Sequence, residues 1–275
     1  SMAEDAIDII ESLGLGLKVA YIEGDDLMPK LEEIKDSGEK FKNLDTGIDI
    51  AKQGLPIVSA NAYLGCWGIK KALDQGADIV ICPRVTDAAL VMGPAAWKYD
   101  WNHDDYDQLA GSLAAGHIIE CGAQATGGNY SFFKEIPTFR NIGYPIAEIY
   151  EDGSFNITKH DDTGGLVSKG TVTAQLLYEI ASPQYLNPDV TGHFNTLEIS
   201  EVDKNKVHVK NVKGSPPPEK LKACINLAGG YKNGMELIVT GLDIEEKAKI
   251  FTDELFHSLG GCLLYTSDAA DEPLC

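Results

Sequence analysis

The feature that most constrains this chain is the alternation of short apolar runs with amphipathic segments between Leu17 and Cys82. Leu17-Lys18-Val19-Ala20-Tyr21-Ile22 reads as a strand, and a helix is predicted over Leu27–Ser37. Ile57-Val58-Ser59-Ala60 reads as a second strand, with a helix over Gly68–Gln75 behind it. Gly76-Ala77-Asp78 then turns the chain into a third strand, Ile79-Val80-Ile81-Cys82. Strand–helix–strand order within one sheet demands parallel pairing with right-handed crossovers. The predicted fold class is therefore α/β, a three-layer core around a parallel sheet. Ahead of it, Ala3–Leu13 has apolar residues at helical spacing and stops at Gly14. Doubly wound folds usually begin with a strand, so the first strands are expected to be missing here.

In open α/β sheets, ligands bind beyond the carboxyl ends of the strands. All three predicted strands end there in polar residues: Asp25 and Asp26, Asn61, and Arg84 with Asp87. Two adjacent carboxylates could hold a divalent cation or a pair of ribose hydroxyls, or Asp25 or Asp26 could simply cap the following helix. Arg84 can grip a carboxylate or phosphate in bidentate fashion, or pair internally with Asp87. One polar loop means little, but three on one sheet edge converge in space.

A second concentration of chemistry lies between Gly116 and Asn129. Within a helix predicted over Asp105–Ala125, residues three and four apart stack above one another. His117, Glu120, Cys121 and Gln124 would then share one face, with Ala115, Ile118, Ile119 and Gly122 opposite. Thr126-Gly127-Gly128-Asn129 is read as the helix stop. Histidine suits proton transfer at neutral pH, so His117 and Glu120 are the candidate acid–base pair, with Asp87 orienting groups. Cys121 is a candidate nucleophile, although cysteine at such a position is usually packing. An ordinary solvated helix face is the alternative. A second Thr-Gly-Gly, at Thr163-Gly164-Gly165, precedes a helix predicted through Thr173–Ile180. Glycines before a helix expose N–H groups at the positive dipole end, so this turn is the better anion cradle, with Lys159 as counter-charge. A plain connecting loop is the competing reading. No metal-ligand spacing such as HExxH occurs, and no motif identifies a cofactor.

The second half is richer in strands. Gly143–Tyr150 and Ser154–Thr158 read as a hairpin, and Ser182–Asp189 as a turn-rich linker. Strands near Thr196–Ser200, Lys206–Val212, Lys222–Leu227 and Glu236–Thr240 are predicted to be partly antiparallel, before a helix over Glu245–Leu259. The expected organisation is an α/β core over 3–182, an α+β remainder of the same domain over 183–261, and a non-native tail over 262–275. With 23 Lys+Arg against 42 Asp+Glu, the net charge is -19, which argues against nucleic acid or an anionic membrane as partner. An anionic ligand would need locally placed cations. Six cysteines without CxxC spacing point to a reducing, cytoplasmic setting. No apolar run has membrane-spanning length.

Several stretches, in order, resemble the acyclic terpene utilisation AtuA family, specifically its N-terminal core domain. They are Lys18-Val19-Ala20 with Glu23-Gly24-Asp25-Asp26-Leu27, Asn61-Ala62-Tyr63-Leu64-Gly65, Gly76 to Ile81, Arg84 to Leu90, Ala115-Gly116-His117 through Asn129, Gly143 to Glu148, and Leu177 to Val190. The resemblance implies breakdown of citronellol- and geraniol-like compounds through acyl-CoA intermediates, and a chain cut at both ends. A homo-oligomer, or a further C-terminal domain missing here, would accompany it. It supplies no reaction, so the site assignments rest on spacing. Two functions follow: an enzyme acting on a branched acyl or acyl-CoA compound, or a non-catalytic binding or scaffold subunit of a catabolic complex.

Overall fold

The computed structural model describes residues 1–230, 234 and 236–259. It divides into two units, Ser1–Ala228 and Gly229–Cys275. In the first, helix α1 (Met2–Ser12) leads to strand β1 (Val19–Tyr21), helix α2 (Leu31–Asp36) and strand β2 (Ile57–Ala62). Helix α3 (Trp67–Asp74), strand β3 (Ile79–Ile81) and helices α4 (Ala89–Lys98) and α5 (Tyr106–Ile119) follow. Then come β4 (Pro145–Ile149), β5 (Phe155–Lys159), α6 (Lys169–Leu176), β6 (Gln184–Leu186) and β7 (Thr191–His193). Strands β8 (Glu198–Asp203), β9 (Lys206–Lys210), β10 (Lys213–Ser215) and β11 (Ala223–Leu227) complete it. In the second unit, Ile244–Leu259 forms helix α7.

The α/β class holds, but the sheets are small and mostly antiparallel. β1 and β3 form the only parallel ladder among the described residues, with Val19 opposite Ile79. β2 does not join them. It pairs antiparallel with β11, Ala62 opposite Ala223, and Asp26 makes an antiparallel bridge to Asn61. Local alternation fixes which segments are strands but not their partners, and here a strand from the far end of the unit takes the edge of β2. The expected antiparallel half is present: β4, β5, β9 and β8 form one four-stranded sheet, and β10, β7 and β6 another. The predicted strand over Glu236–Thr240 has no regular structure, and the tail over 262–275 lies outside the described residues.

Helix α5 is the post of the first unit. Every residue from Leu109 through Ile118 is buried, as expected for a helix that is apolar all round. Its small residues let neighbours approach from several sides. A Cβ at Gly111 would stand 1.9 Å from the Gly153 carbonyl oxygen, and one at Gly116 only 2.7 Å from the Ala88 Cα. Phe155, Ile157, Val207 and Val209, all fully buried, bring the four-stranded sheet into the same core. Burial of each such side chain contributes roughly 1.5–3 kcal/mol.

Candidate functional site

The three predicted strand ends do meet, through one carboxylate. Asp25 Oδ2 accepts from Asn61 Nδ2 at 2.8 Å and from the Arg84 backbone N–H at 3.3 Å. The Ala62 N–H donates to the Asp25 carbonyl at 2.7 Å, and the Leu64 N–H to the Arg84 carbonyl at 3.0 Å. Asp25 is thus a knot tying three loops. Asp26 Oδ1 accepts from the Met28 N–H at 2.9 Å at the start of the predicted helix, which forms in two pieces, a 3-10 turn over Met28–Lys30 running directly into α2 (Leu31–Asp36). Arg84 makes no ion pair with Asp87. Its exposed guanidinium lies 5.3 Å from the centroid of the Tyr63 ring.

The second group surrounds His117, which is 1% exposed. Helix α5 ends at Ile119, and a separate 3-10 segment, Gly122–Thr126, follows with Gly122 at φ +54°. The break means that His117, Glu120, Cys121 and Gln124 do not form one continuous helix face, and His117 is a core residue rather than part of a solvated stripe. Tyr185 and Phe194 enclose its ring, at centroid distances of 5.1 and 5.9 Å. Nε2 stands 3.2 Å from the Leu176 carbonyl oxygen. A carbonyl only accepts, so Nε2 carries the hydrogen and Nδ1 of the neutral ring holds a lone pair. Nδ1 has no hydrogen-bond partner and lies 3.5 Å from Glu120 Oε1. Gln124 Oε1 and Gln175 Nε2 are likewise buried without partners. A buried polar atom left unpaired costs about 1–3 kcal/mol, so this is where a ligand's polar atoms would gain most.

Electrostatics bring Asp87 to the same place. Burial, then the charges of Glu120, Asp87 and Glu179, push the Tyr185 phenol up to about 12. Burial and the Glu120 charge likewise push the Cys121 thiol up, although the nearby Gln175 amide works against them. A thiol pushed up yields little thiolate at neutral pH, which counts against Cys121 as the nucleophile.

Both Thr-Gly-Gly turns are closed on themselves. Thr126 Oγ1 donates to the Gly143 carbonyl, and the N–H groups of Gly127, Gly128 and Asn129 return to the carbonyls of Gln124, Ala123 and Gln124. At φ +122°, Gly127 could carry a side chain only under strain, and a Cβ there would meet Ile136 at 2.7 Å. Gly164 N–H donates to the Asn141 carbonyl and Gly165 N–H to that of Thr138. Lys159 is buried, its Nζ donating to the carbonyls of His160 and Thr163 and to Thr163 Oγ1. Helix α6 starts only at Lys169, capped by Ser168, so Thr163-Gly164-Gly165 is not at its N-terminus. With its donors bonded and the helix four residues away, this turn has nothing to offer an anion. The loop is a packing device.

The two polar groups share no hydrogen bond or ion pair among the described residues. The segment from Arg84 to Ala88 runs between them: Arg84 N–H is bonded to Asp25, and Ala88 packs on Gly116 beside His117. Asn187 steadies this segment through Thr86 Oγ1 at 3.1 Å, while Asp189 accepts from the Cys66 N–H at 2.8 Å. A cleft of about 520 Å³, lined by Tyr130, Phe132, Gly170, Thr173 and Leu177 among others, lies along α6, the helix that supplies Gln175 and Leu176. A hollow near Asp107 and His208 has about 150 Å³, below the usual size of a ligand pocket. Spacing did not single out Tyr63, Gln175, Tyr185 or Lys222. Only the pairing of distant segments makes them visible.

This is an α/β protein whose core holds a histidine next to a carboxylate, and in which Gln124 Oε1 and Gln175 Nε2 are buried without partners. The acyclic terpene utilisation family AtuA matches residues 1–267, and the chain belongs to that family. No curated protein and no solved structure matches it. No helix among the described residues is long and apolar enough to cross a membrane, and no group of three or more potential metal-ligating side chains occurs there.

Proposed function

We propose that the chain is a cytoplasmic enzyme of acyclic terpenoid catabolism, acting on a branched acyl or acyl-CoA compound by acid–base chemistry. The observation that carries this reading is the His117–Glu120 gap. The Leu176 carbonyl fixes the imidazole tautomer, and the bare Nδ1 faces a carboxylate oxygen at 3.5 Å. A proton taken from a substrate into this gap has two acceptors, one of them held rigid by packing. Protons α to a thioester carbonyl, or vinylogous to it in an unsaturated chain, are the class such a pair could move. Gln175 Nε2, buried without a partner, is free to donate to an acyl carbonyl oxygen, and the cleft along α6 has room for an apolar branched chain. The four described cysteines are free thiols, in keeping with a reducing compartment.

The test is turnover of citronellyl- and geranyl-type acyl-CoA thioesters, followed by mass spectrometry and by exchange of substrate protons with deuterated water. His117→Gln should lower the exchange rate by about 10²–10⁴, the usual worth of a positioned acid–base group, measured at a temperature where its melting curve shows the variant folded. Wild-type rates in His117→Gln would refute the catalytic reading. Absence of both turnover and proton exchange in the wild type would refute it too, leaving the binding or scaffold role.

A further inference from the structure

The chain has only two arginines, Arg84 and Arg140, within a net charge of -19. One of them stands in an unusual setting. Tyr63 follows directly on β2, and its two lateral neighbours are now identifiable. On one side its N–H donates to the Lys222 carbonyl at 2.9 Å, continuing the β2–β11 pairing by one residue. On the other, the bond from Leu64 N–H to the Arg84 carbonyl, with the parallel bridge Leu64–Val85, lays the Arg84 segment alongside. Three adjacent backbone segments thus present Lys222, Tyr63 and Arg84 in a row. The side chains also gather: Arg84 Cζ lies 5.3 Å and Lys222 Nζ 5.4 Å from the same ring centroid. Among the described residues, neither cation has a carboxylate within ion-pair distance, although the chain offers 42 acidic residues. The nearby Asp25 carboxylate is tied to the Asn61 amide and to the Arg84 backbone, not to the guanidinium.

Each cation, brought from one of the two segments flanking Tyr63, has no counter-ion in a strongly acidic protein and gains only the ring's modest attraction. Bound phosphate would supply that counter-ion, because guanidinium and ammonium both make charge-assisted bonds to its oxygens. We infer that Arg84, Lys222 and Tyr63 form a recognition site for a phosphate-bearing ligand, Arg84 gripping two oxygens, Lys222 adding a second charge and the Tyr63 phenol a neutral donor. The inference deepens the function proposed above, since it names the charged end of the compound that the chain binds. It also supplies the locally placed cations that a net charge of -19 requires of any anion site.

The probe is inorganic pyrophosphate, titrated into the whole chain by calorimetry at low and at physiological salt. The wild type should bind saturably and more weakly as salt rises. Arg84→Gln and Lys222→Gln should each weaken binding about tenfold or more, the worth of a charge-assisted hydrogen bond, and the double variant should show no saturation. Lys98→Gln, an exposed lysine on α4, serves as the control and should bind like the wild type. All three altered side chains are exposed, and melting curves confirm the fold. Equal affinity of wild type and double variant overturns the site, as does an equal loss in Lys98→Gln or no saturable binding by the wild type. His117→Gln should keep wild-type pyrophosphate affinity whatever happens to turnover, so the phosphate site and the acid–base reading fail separately.

Discussion

The glycines of α5 offer a prediction whose sign is decided by structure. Glycine in the middle of a helix costs roughly 0.5–1 kcal/mol relative to alanine. On propensity alone, Gly111→Ala and Gly116→Ala should each stabilise the protein. The packing says the reverse. At Gly111 the new Cβ would sit 1.9 Å from the Gly153 carbonyl oxygen and 2.7 Å from its carbon. These are backbone atoms, so no side chain can rotate away, and Gly153 has φ +81° with its own Cβ position 2.6 Å from the Gln108 Cα. Overpacking of this kind costs typically about 1–3 kcal/mol and sometimes more. Taking the upper end and subtracting the propensity gain leaves Gly111→Ala destabilised by about 2 kcal/mol. For a domain of this size that is a fall in melting temperature of about 4–8 °C. At Gly116 the new Cβ meets Ala88 at 2.7 and 2.8 Å, at the N-terminal end of a helix that can tilt slightly. A net loss of about 1 kcal/mol is expected there. Urea denaturation with matched thermal melts measures both. A rise in stability for either variant would show that the hairpin turn or the Ala88 segment does not rest on α5 as described.

Three further outcomes follow from buried polar groups. Burial pushes the Asp189 carboxyl above its ordinary 3.8. The folded chain therefore binds that proton more tightly than the unfolded chain. The resulting stability is fully present below 3.8 and lost as pH rises through the raised folded value. Asp189→Asn should flatten the stability–pH profile on that flank, measured by urea midpoints, and an unchanged slope would count against the burial argument. Lys159→Met removes a buried ammonium that donates to three oxygens and should cost about 2–3 kcal/mol. Its distinctive mark is faster amide exchange at Gly164 and Gly165; unchanged exchange would contradict the stapling role. Ultraviolet titration should place Tyr185 near 12, identified as the component lost in Tyr185→Phe, and Glu120→Gln should bring it down. A phenol titrating near 10 would mean that Tyr185 is neither buried nor faced by the carboxylates.

How much of this could be read from the sequence depends on the range of the interactions. The strands β1, β2 and β3, the hairpin and the closing helix α7 are local, and hydrophobic period and turn residues reveal them. Partner choice is not local. Nothing between Ile57 and Ala62 says that Ala223 will lie opposite Ala62, and that single pairing takes β2 out of the expected parallel sheet and leaves β1 and β3 as a parallel pair. The same distance hides Lys222 from any motif centred on Tyr63 or Arg84. Helical spacing erred at His117 for a different reason. The seven residues from Leu109 to Ala115 include only two leucines among small side chains, and that composition already marks a helix buried on every side. A histidine one turn from its end had then to be a core residue, with its polar partners supplied by another element.

That element is α6, and its role clarifies what the glycine turns are for. Helix α6 contributes the Leu176 carbonyl that fixes the His117 tautomer and the Gln175 amide that lies beside Cys121. Its position depends on the loop before it, where Leu166 N–H bonds to the Thr126 carbonyl and a Cβ at Gly165 would meet the same atom at 2.7 Å. Thr126 in turn belongs to the 3-10 segment that continues from α5. The two Thr-Gly-Gly turns therefore lock against each other and set the distance between the helix carrying the imidazole and the helix that orients it. Glycine is required there by close backbone approach, not by anion binding. The proposed proton-exchange activity should accordingly fall in Gly165→Ala through the tautomer-fixing bond, with pyrophosphate affinity at the proposed Arg84 and Lys222 site unaffected. An equal loss of both would place the phosphate end of the ligand in these turns after all.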